Sequence, residues 1–282
     1  MNFADPLGLR RALLALLLLL ASVPLLAAQR IVTLAPHLTE LVYAAGAGER
    51  LVGTVAHSDH PAAARRLPRI GDAASIDQER LVALRPDLIL AWRDGTPAHV
   101  VDRLRRLGLR VESSHIDRLD AVPDELRRIG RLVASPASAD TAATVLEQRI
   151  HALPRPQGRP IKVFYQLWDR PLYTIGGGHF IDDIIRRCGG INLFADLRSP
   201  AASVDPETIL VRAPEAIVAA AEPDTARQWF ARWRRYASLP ASRAGRFAAA
   251  PPEWLNQPGP RLIDGAEWLC GEFTRWRQEK AP

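Results

Sequence analysis

The stretch ERLVALRPDLILA, Glu79 to Ala91, decides the fold because the chain contains it twice. The second copy, ETILVRAPEAIVA, runs from Glu207 to Ala219, 128 positions later (207 − 79 = 128). Both copies place a glutamate, paired apolar residues, a proline, an acid and an apolar run at the same positions. Asp77 or Asp205 stands two residues before the glutamate, where an aspartate can cap the start of a helix. The repeat therefore predicts two α/β halves of one design.

The second part of each copy predicts a strand. Pro86 and Pro214 end the helix, since proline cannot continue it. The apolar runs that follow are short and lack polar alternation, which favours strands of a sheet covered on both faces. Strand and helix patterns alternate along the remaining chain. We therefore predict an α/β fold with mostly parallel sheets.

Composition divides the chain into a leader, two halves and a connection. The first half covers residues 29–138, and good helix formers without breakers predict a long helix over residues 139–153. The segment PRPQGRP that follows is the sharpest break in composition, and the alternating pattern then restarts. We assign residues 154–282 to the second half.

Residues 1–28 resemble a secretory signal peptide. Two arginines supply positive charge, Ala12 to Leu20 is an unbroken apolar run, and small residues end at Ala28. The apolar run is shorter than the ~20 residues that a membrane span needs. We predict cleavage near Ala28 and a mature chain that is not inserted in the membrane; an uncleaved anchor is the alternative.

The charge of the chain does not indicate nucleic-acid binding. The formal net charge is +6, but there are only two lysines, and the arginines are scattered rather than grouped with stacking aromatic residues. The two cysteines, Cys188 and Cys270, predict a disulfide in an exported chain. A metal site is the alternative for them, although neither has a second ligand at the usual spacing.

The candidate binding residues follow predicted strands. Ligands of parallel sheets bind beyond the carboxyl ends of the strands, where this chain has His57, Trp92, Trp168, Trp254 and the turn Pro36-His37. Three tryptophans in such positions predict a wide, flat site for a large planar ligand. The chain has neither a G-x-S-x-G nor an H-E-x-x-H motif. We therefore expect a binding protein without a catalytic cofactor, not an enzyme.

Several segments together resemble one known family. They are RIVTLAPHLTELVYAAGAGERLVG, SDHP, ERLVALRPDLILAWRDG, CGGINLF and WLNQPGPR. These segments are similar to the periplasmic cobalamin (vitamin B12)-binding proteins of ABC importers, whose wider group also binds haem and iron–siderophore complexes. The resemblance covers nearly all of the mature chain. It implies a monomeric periplasmic protein with two Rossmann-like lobes, a single long helix joining them and a ligand cleft between them.

The resemblance also implies roles for particular residues. Corrinoid contacts would fall on His57, Trp92, Trp168 and the loop Glu253, Trp254, Leu255, Asn256 and Gln257. Glu79 and Glu207 would dock onto a permease dimer that carries its ATPase subunits. Two further positions that are often aromatic in the family are Ala73 and Ala201 here. Haem is the main alternative ligand, with His57 or His60 on the iron, and an iron–siderophore is another.

Overall fold

The protein is described by a computed structural model that covers residues 27–72 and 75–279. Most of the predicted signal peptide and Ala73 therefore lie outside the described residues. In the part of the chain that is described, no helix is long and apolar enough to cross a membrane.

The N-terminal lobe is a parallel sheet with helices around it. Its strands lie in the order β2-β1-β3-β4, and each neighbouring pair is parallel. The strands are β1 (Ile31–Thr33), β2 (Leu51–Gly53), β3 (Leu88–Trp92) and β4 (Val111–Ser114). The helices are α1 (Pro36–Ala44), α2 (Gln78–Ala83), α3 (Ala98–Arg106) and α4 (Ala121–Leu132), with 3-10 turns at Gly48–Arg50 and Ala62–Arg66.

One long helix, α5 (Pro136–His151), connects the lobes. It begins three residues before the predicted start because Pro136 occupies the first turn, where proline lacks only an N–H that would be unpaired anyway. Helix α5 packs closely on α4: a Cβ at Gly130 would lie 2.3 Å from Cβ of Ala139. A glycine is therefore required at this crossing.

The C-terminal lobe contains a second parallel sheet and a small antiparallel one. The parallel sheet has the order β11-β10-β5-β8, and the antiparallel sheet has the order β6-β7-β9. The strands are β5 (Ile161–Gln166), β6 (Trp168–Asp169), β7 (Leu172–Ile175), β8 (Gly190–Asn192), β9 (Ala201–Ser203), β10 (Ala216–Ala220) and β11 (Phe247–Ala250). The helices are α6 (Phe180–Arg187), α7 (Pro206–Arg212), α8 (Pro223–Arg234), α9 (Pro240–Arg243), α10 (Pro252–Leu255) and α11 (Leu262–Gln278).

The repeat is visible in the backbone of both lobes. Strands β3 and β10 are five residues long and begin 128 positions apart, at Leu88 and Ala216. Arg85 and Ala213, also 128 apart, have left-handed φ values of 45° and 48° just before the two prolines. A residue before proline is disfavoured in the right-handed helical region, so both helices end there. The predicted α/β fold in two lobes is confirmed.

The two predicted helix caps differ in their hydrogen bonds. The Asp77 carboxylate accepts a hydrogen bond of 2.9 Å from the backbone N–H of Arg80. Asp205 occupies the same N-cap position but makes no such bond. The predicted disulfide is confirmed: Cys188 and Cys270 join the end of α6 to α11, and both are buried.

Candidate functional site

The two lobes face each other with the carboxyl ends of their strands, and a cavity of ≈ 230 Å³ lies between them. We call it the inner cavity. Its N-lobe wall follows β3 and β4, and its C-lobe wall follows β5 and includes the start of α6 and the end of α10. The lining residues are Trp92, Asp94, His115, Ile116, Asp117, Leu167, Gly178, His179, Phe180, Ile181, Pro200, Ala201, Leu255 and Asn256.

A second, more polar cavity of ≈ 490 Å³ also lies between the lobes. We call it the outer cavity. It is lined by His57, Asp59, His60, Arg65, Glu222, Pro252, Glu253, Gln257 and Arg261. The segment after β11, made of α10 and the loop that follows it, contributes to both cavities: Pro252, Glu253 and Gln257 line the outer one, and Leu255 and Asn256 line the inner one. A large ligand could therefore contact both cavities along this loop.

Trp92 forms part of the wall of the inner cavity and rests on His37. The two rings meet edge to face, with centroids 5.1 Å apart. His37 is buried, its Nε2 has no hydrogen-bond partner among the described residues, and burial lowers its pKa to about 3. A neutral imidazole therefore packs edge to face against the tryptophan. His37 itself lines neither cavity.

Hydrogen bonds of Asn256 hold the segment Glu253–Gln257 in place. Asn256 Oδ1 accepts a bond from the Tyr165 hydroxyl (3.2 Å), and Asn256 Nδ2 donates to the Ala220 carbonyl (3.1 Å). Tyr165 is buried, which raises its pKa and keeps the hydroxyl protonated as a donor. Strands β5 and β10 thus position the residues that close the inner cavity.

His115 and Asp94 form a polar pair on the N-lobe wall of the inner cavity. His115 Nδ1 lies 2.8 Å from Asp94 Oδ2, and Nη2 of Arg93 lies 2.5 Å from His115 Nε2. Because a guanidinium can only donate, Nε2 accepts and the proton of the imidazole is on Nδ1, pointing to the carboxylate. Both nitrogens of His115 are therefore occupied.

His179 is the imidazole on the opposite wall. Its Nδ1 accepts a hydrogen bond of 3.2 Å from the backbone N–H of Ile181, which caps α6. Burial lowers the pKa of His179 to about 4, with Asp94 acting in the opposite direction. The ring is therefore neutral at pH 7 and carries its proton on Nε2. Neither histidine of the inner cavity has a free lone pair for a metal ion.

The predicted site residues fall into three groups. Trp92, Leu255 and Asn256 line the inner cavity, while His57, His60, Glu253 and Gln257 line the outer one. Trp254 lies in α10, which borders both, and Pro36 opens α1 beside His37. Trp168 is 58% exposed, packs edge-on against Trp229 and lines neither cavity, whereas its neighbour Leu167 lines the inner one.

Sequence reasoning missed His115, Asp117, His179 and Phe180 of the inner cavity. The first two follow β4, which ends at Ser114. The other two stand at the start of α6, where His179 is the N-cap and Phe180 the first residue. Within the described residues, no group of three or more His, Cys, Asp and Glu side chains is arranged to hold a metal ion.

Buried hydroxyl groups support the loop that carries His57 and His60. Thr33, Thr39 and Thr54 form a ring of hydrogen bonds of 2.6 to 2.9 Å, and Thr54 also donates to Ser58 (2.8 Å). The network joins β1, α1 and the end of β2 to the loop that carries His57. It thereby positions the His57–His60 segment.

Comparison with known proteins gives consistent matches. Residues 31–254 match the periplasmic binding protein family. The chain is 36% identical to the vitamin B12-binding protein of Vibrio cholerae serotype O1 over an alignment of 246 residues. The alignment covers 86% of this chain and 88% of that protein. The crystal structure of periplasmic vitamin B12 binding protein BtuF of Vibrio cholerae matches at TM-score 0.82 and 34% identity, covering 89% and 99% of the two chains. A periplasmic haem-binding protein from Pseudomonas aeruginosa matches at TM-score 0.75 and 28% identity, covering 90% and 94%.

Proposed function

The chain belongs to the periplasmic binding protein family, and on this premise we propose that it captures cobalamin and delivers it to an inner-membrane ABC importer. The mature protein, released by cleavage near Ala28, works in the periplasm as a monomer. It hands its ligand to a permease dimer that carries ATPase subunits. The similarity to vitamin B12-binding proteins over nearly the whole mature chain supports this process.

The residues that line the inner cavity favour cobalamin as the ligand. Trp92, Leu167, Phe180 and Leu255 offer apolar surface for a large ring, while Asn256 and the polar pair offer hydrogen bonds to its edge. Both imidazoles are already hydrogen-bonded through the nitrogens described above. Cobalamin suits such a cavity because the ring and base of the ligand itself coordinate the cobalt. The ligand therefore needs contacts but no metal ligand from the protein.

Glu79 and Glu207 are the proposed contacts with the permease. Both carboxylates are exposed, and each occupies the second position of its helix, α2 or α7. An exposed valine lies about one turn further on each helix: Val82 is 43% exposed and Val211 is 85% exposed. Two helix starts that each expose an acid, at equivalent positions of the repeat, and an apolar side chain nearby suit two equivalent basic sites on a two-fold permease.

Haem is the second candidate ligand, and the outer cavity favours it. His57 and His60 both line that cavity and have exposed side chains, so an imidazole is accessible to iron there. The ligand of an iron site would come from this pair and not from the inner cavity.

Titration of the mature protein with cyanocobalamin and with hemin tests both candidates. For cobalamin we expect saturable quenching of tryptophan fluorescence with a dissociation constant of about 1 nM to 10 μM, the range of specific binding proteins. A hemin complex with a sharp Soret band that His57→Ala or His60→Ala abolishes, together with no response to cyanocobalamin, would replace cobalamin by haem.

A further inference from the structure

The inner cavity has an uneven distribution of charge. Its N-lobe wall contains two carboxylates, Asp94 and Asp117, and no lysine or arginine is among the residues that line it. Arg93 and Arg118 pair with these acids at 3.5 Å and 3.1 Å, but both guanidinium groups are more than half exposed. The positive charge is thus directed to solvent and the negative charge to the cavity.

The Asp94 carboxylate is held in place by its neighbours. The Nδ1–H of His115 donates to it, and Arg93 fixes the other nitrogen of the same ring. The ring lies between two carboxylates, 2.8 Å from Asp94 and 3.6 Å from Asp117, so a single imidazole orients Asp94 but cannot cancel the charge of both acids. Asp94 therefore presents a fixed negative charge to whatever enters the cavity.

The facing wall does not compensate for that charge. His179 is the titratable group of the C-lobe wall, and it is neutral at pH 7 because burial lowers its pKa to about 4. Its Nδ1 accepts from the backbone of Ile181, so Nε2–H remains as an uncharged donor. Asn256 adds an amide, which is also uncharged. The wall can therefore pair with carbonyl and amide groups but offers no cation to an anionic ligand.

We propose that Asp94, held by His115 and facing His179, makes the inner cavity a charge filter that accepts rings edged with uncharged amides and rejects rings edged with carboxylates. The inference deepens the proposed function, on which it rests, because the edge of cobalamin carries amides whereas that of haem carries two propionates. A carboxylate brought near Asp94 in a partly desolvated site meets like-charge repulsion, while an amide meets donors and acceptors.

The test compares ligands that differ only in the charge of one edge group. Cyanocobalamin is titrated into the mature protein beside a monocarboxylic derivative, in which one amide is hydrolysed, and the N-methylamide of that derivative. We expect the acid to bind at least about tenfold more weakly than cyanocobalamin, and the methylamide to recover most of the loss. Asp94→Asn keeps the acceptor for His115 and should reduce the penalty on the acid to about threefold or less. Asp102→Asn, an exposed change of the same charge on α3, should leave the penalty unchanged.

Hemin and its dimethyl ester repeat the comparison on a second ring, so the filter can be judged whether or not the protein binds cobalamin. Tighter binding of the ester by the wild type, with the preference lost in Asp94→Asn, supports the filter. Equal affinity for the acid and amide forms of cobalamin, in a protein that binds cyanocobalamin well, overturns the filter and leaves the proposed function standing. Binding of hemin tighter than that of its ester also overturns the filter.

Discussion

Glu40 and Arg261 form an ion pair that joins the two lobes beside the cleft. Nη2 and Nε of Arg261 donate to the two carboxylate oxygens at 2.7 Å and 3.0 Å, and the Glu40 side chain is only 6% exposed. Glu40 belongs to α1, which supports Trp92 through His37, and Arg261 follows the loop that closes the inner cavity. Near this pair, a Cβ at Gly259 would lie 2.9 Å from the His37 side chain. The two walls are thus fastened together at the edge of the outer cavity, which Arg261 lines.

Removing Arg261 should destabilise the protein strongly. In Arg261→Gln the buried carboxylate of Glu40 loses its partner, and we expect the free energy of unfolding to fall by about 3–5 kcal/mol. Urea denaturation at pH 7 measures the change. The matched control is Arg227→Gln in the exposed pair with Asp224, which should cost less than about 1 kcal/mol. Equal and small losses in both variants would mean that the lobes do not depend on this pair.

Tryptophan side chains at the cavities should contribute to ligand affinity. Trp92→Ala removes part of the inner wall and Trp254→Ala alters the loop between the cavities, so each should weaken cyanocobalamin binding by about 1–3 kcal/mol. Isothermal titration calorimetry measures the dissociation constants. Trp268→Ala, in α11 and outside both cavities, controls for general loss of an aromatic side chain. Affinity unchanged in Trp92→Ala would contradict the assignment of the inner cavity.

Stability should fall in mild acid because two histidines are buried in the neutral form. Burial lowers the pKa values of His37 and His179 to about 3 and about 4, from an ordinary 6.5. Below pH 6.5 the unfolded chain binds these protons and the folded chain does not. The free energy of unfolding is therefore unaffected by these two histidines above pH 6.5, and it decreases as the pH falls from 6.5 towards 4. Each histidine should contribute about 1.4 kcal/mol per pH unit to the slope.

Urea denaturation between pH 7 and pH 4.5 tests this dependence. In His179→Asn the asparagine can still cap α6, and the slope should decrease by about 1.4 kcal/mol per pH unit. His99→Asn, at an exposed position of α3, should leave the slope as it is. An unchanged slope in the His179 variant would show that this imidazole takes up its proton in the folded state.

The paired glutamates should matter for docking and not for the ligand. Replacing both Glu79 and Glu207 with alanine should leave cyanocobalamin affinity intact and lower stability by no more than ~1–2 kcal/mol. Complex formation with the permease in detergent or nanodiscs should weaken by at least tenfold, as expected when charged contacts are lost at both sites. The control replaces two other exposed acids, Glu49 and Asp102, with the same change in charge. If the Glu79/Glu207 variant forms the complex as well as the wild type does, the two glutamates have no role in docking and serve only at the starts of their helices.

The sequence predicted the repeated unit well because its signals are local. Proline before β3 and β10 and the apolar runs themselves determine where the helices end and the strands begin. By contrast, β8 has no clear local signal, because Gly189-Gly190 is typical of a helix stop, yet Gly190 also begins the strand. The pair of alanines in β9 has no β-branched side chain, so its pairing with β7 comes from tertiary context.

The site was predicted less completely than the fold, for a geometric reason. Aromatic residues at strand ends were chosen by type, but successive side chains of an extended segment point to opposite sides. Leu167 therefore faces the cavity, and Trp168 faces Trp229. The polar pair depends on two loops that meet only in the folded sheet, β3 beside β4. No local pattern relates Asp94 to a histidine 21 positions later.

The fastened walls have a consequence for exchange kinetics. A binding protein with freely hinged lobes must order them around each ligand, and this step limits how fast it captures and how fast it releases. Here Glu40 and Arg261, with the α4–α5 packing, keep the lobes assembled before the ligand arrives, so capture is limited mainly by diffusion and orientation. Differences in affinity between ligands then arise mainly from differences in their dissociation rates. If the protein docks on a permease as proposed, release of the ligand requires the permease to separate walls that this ion pair holds together.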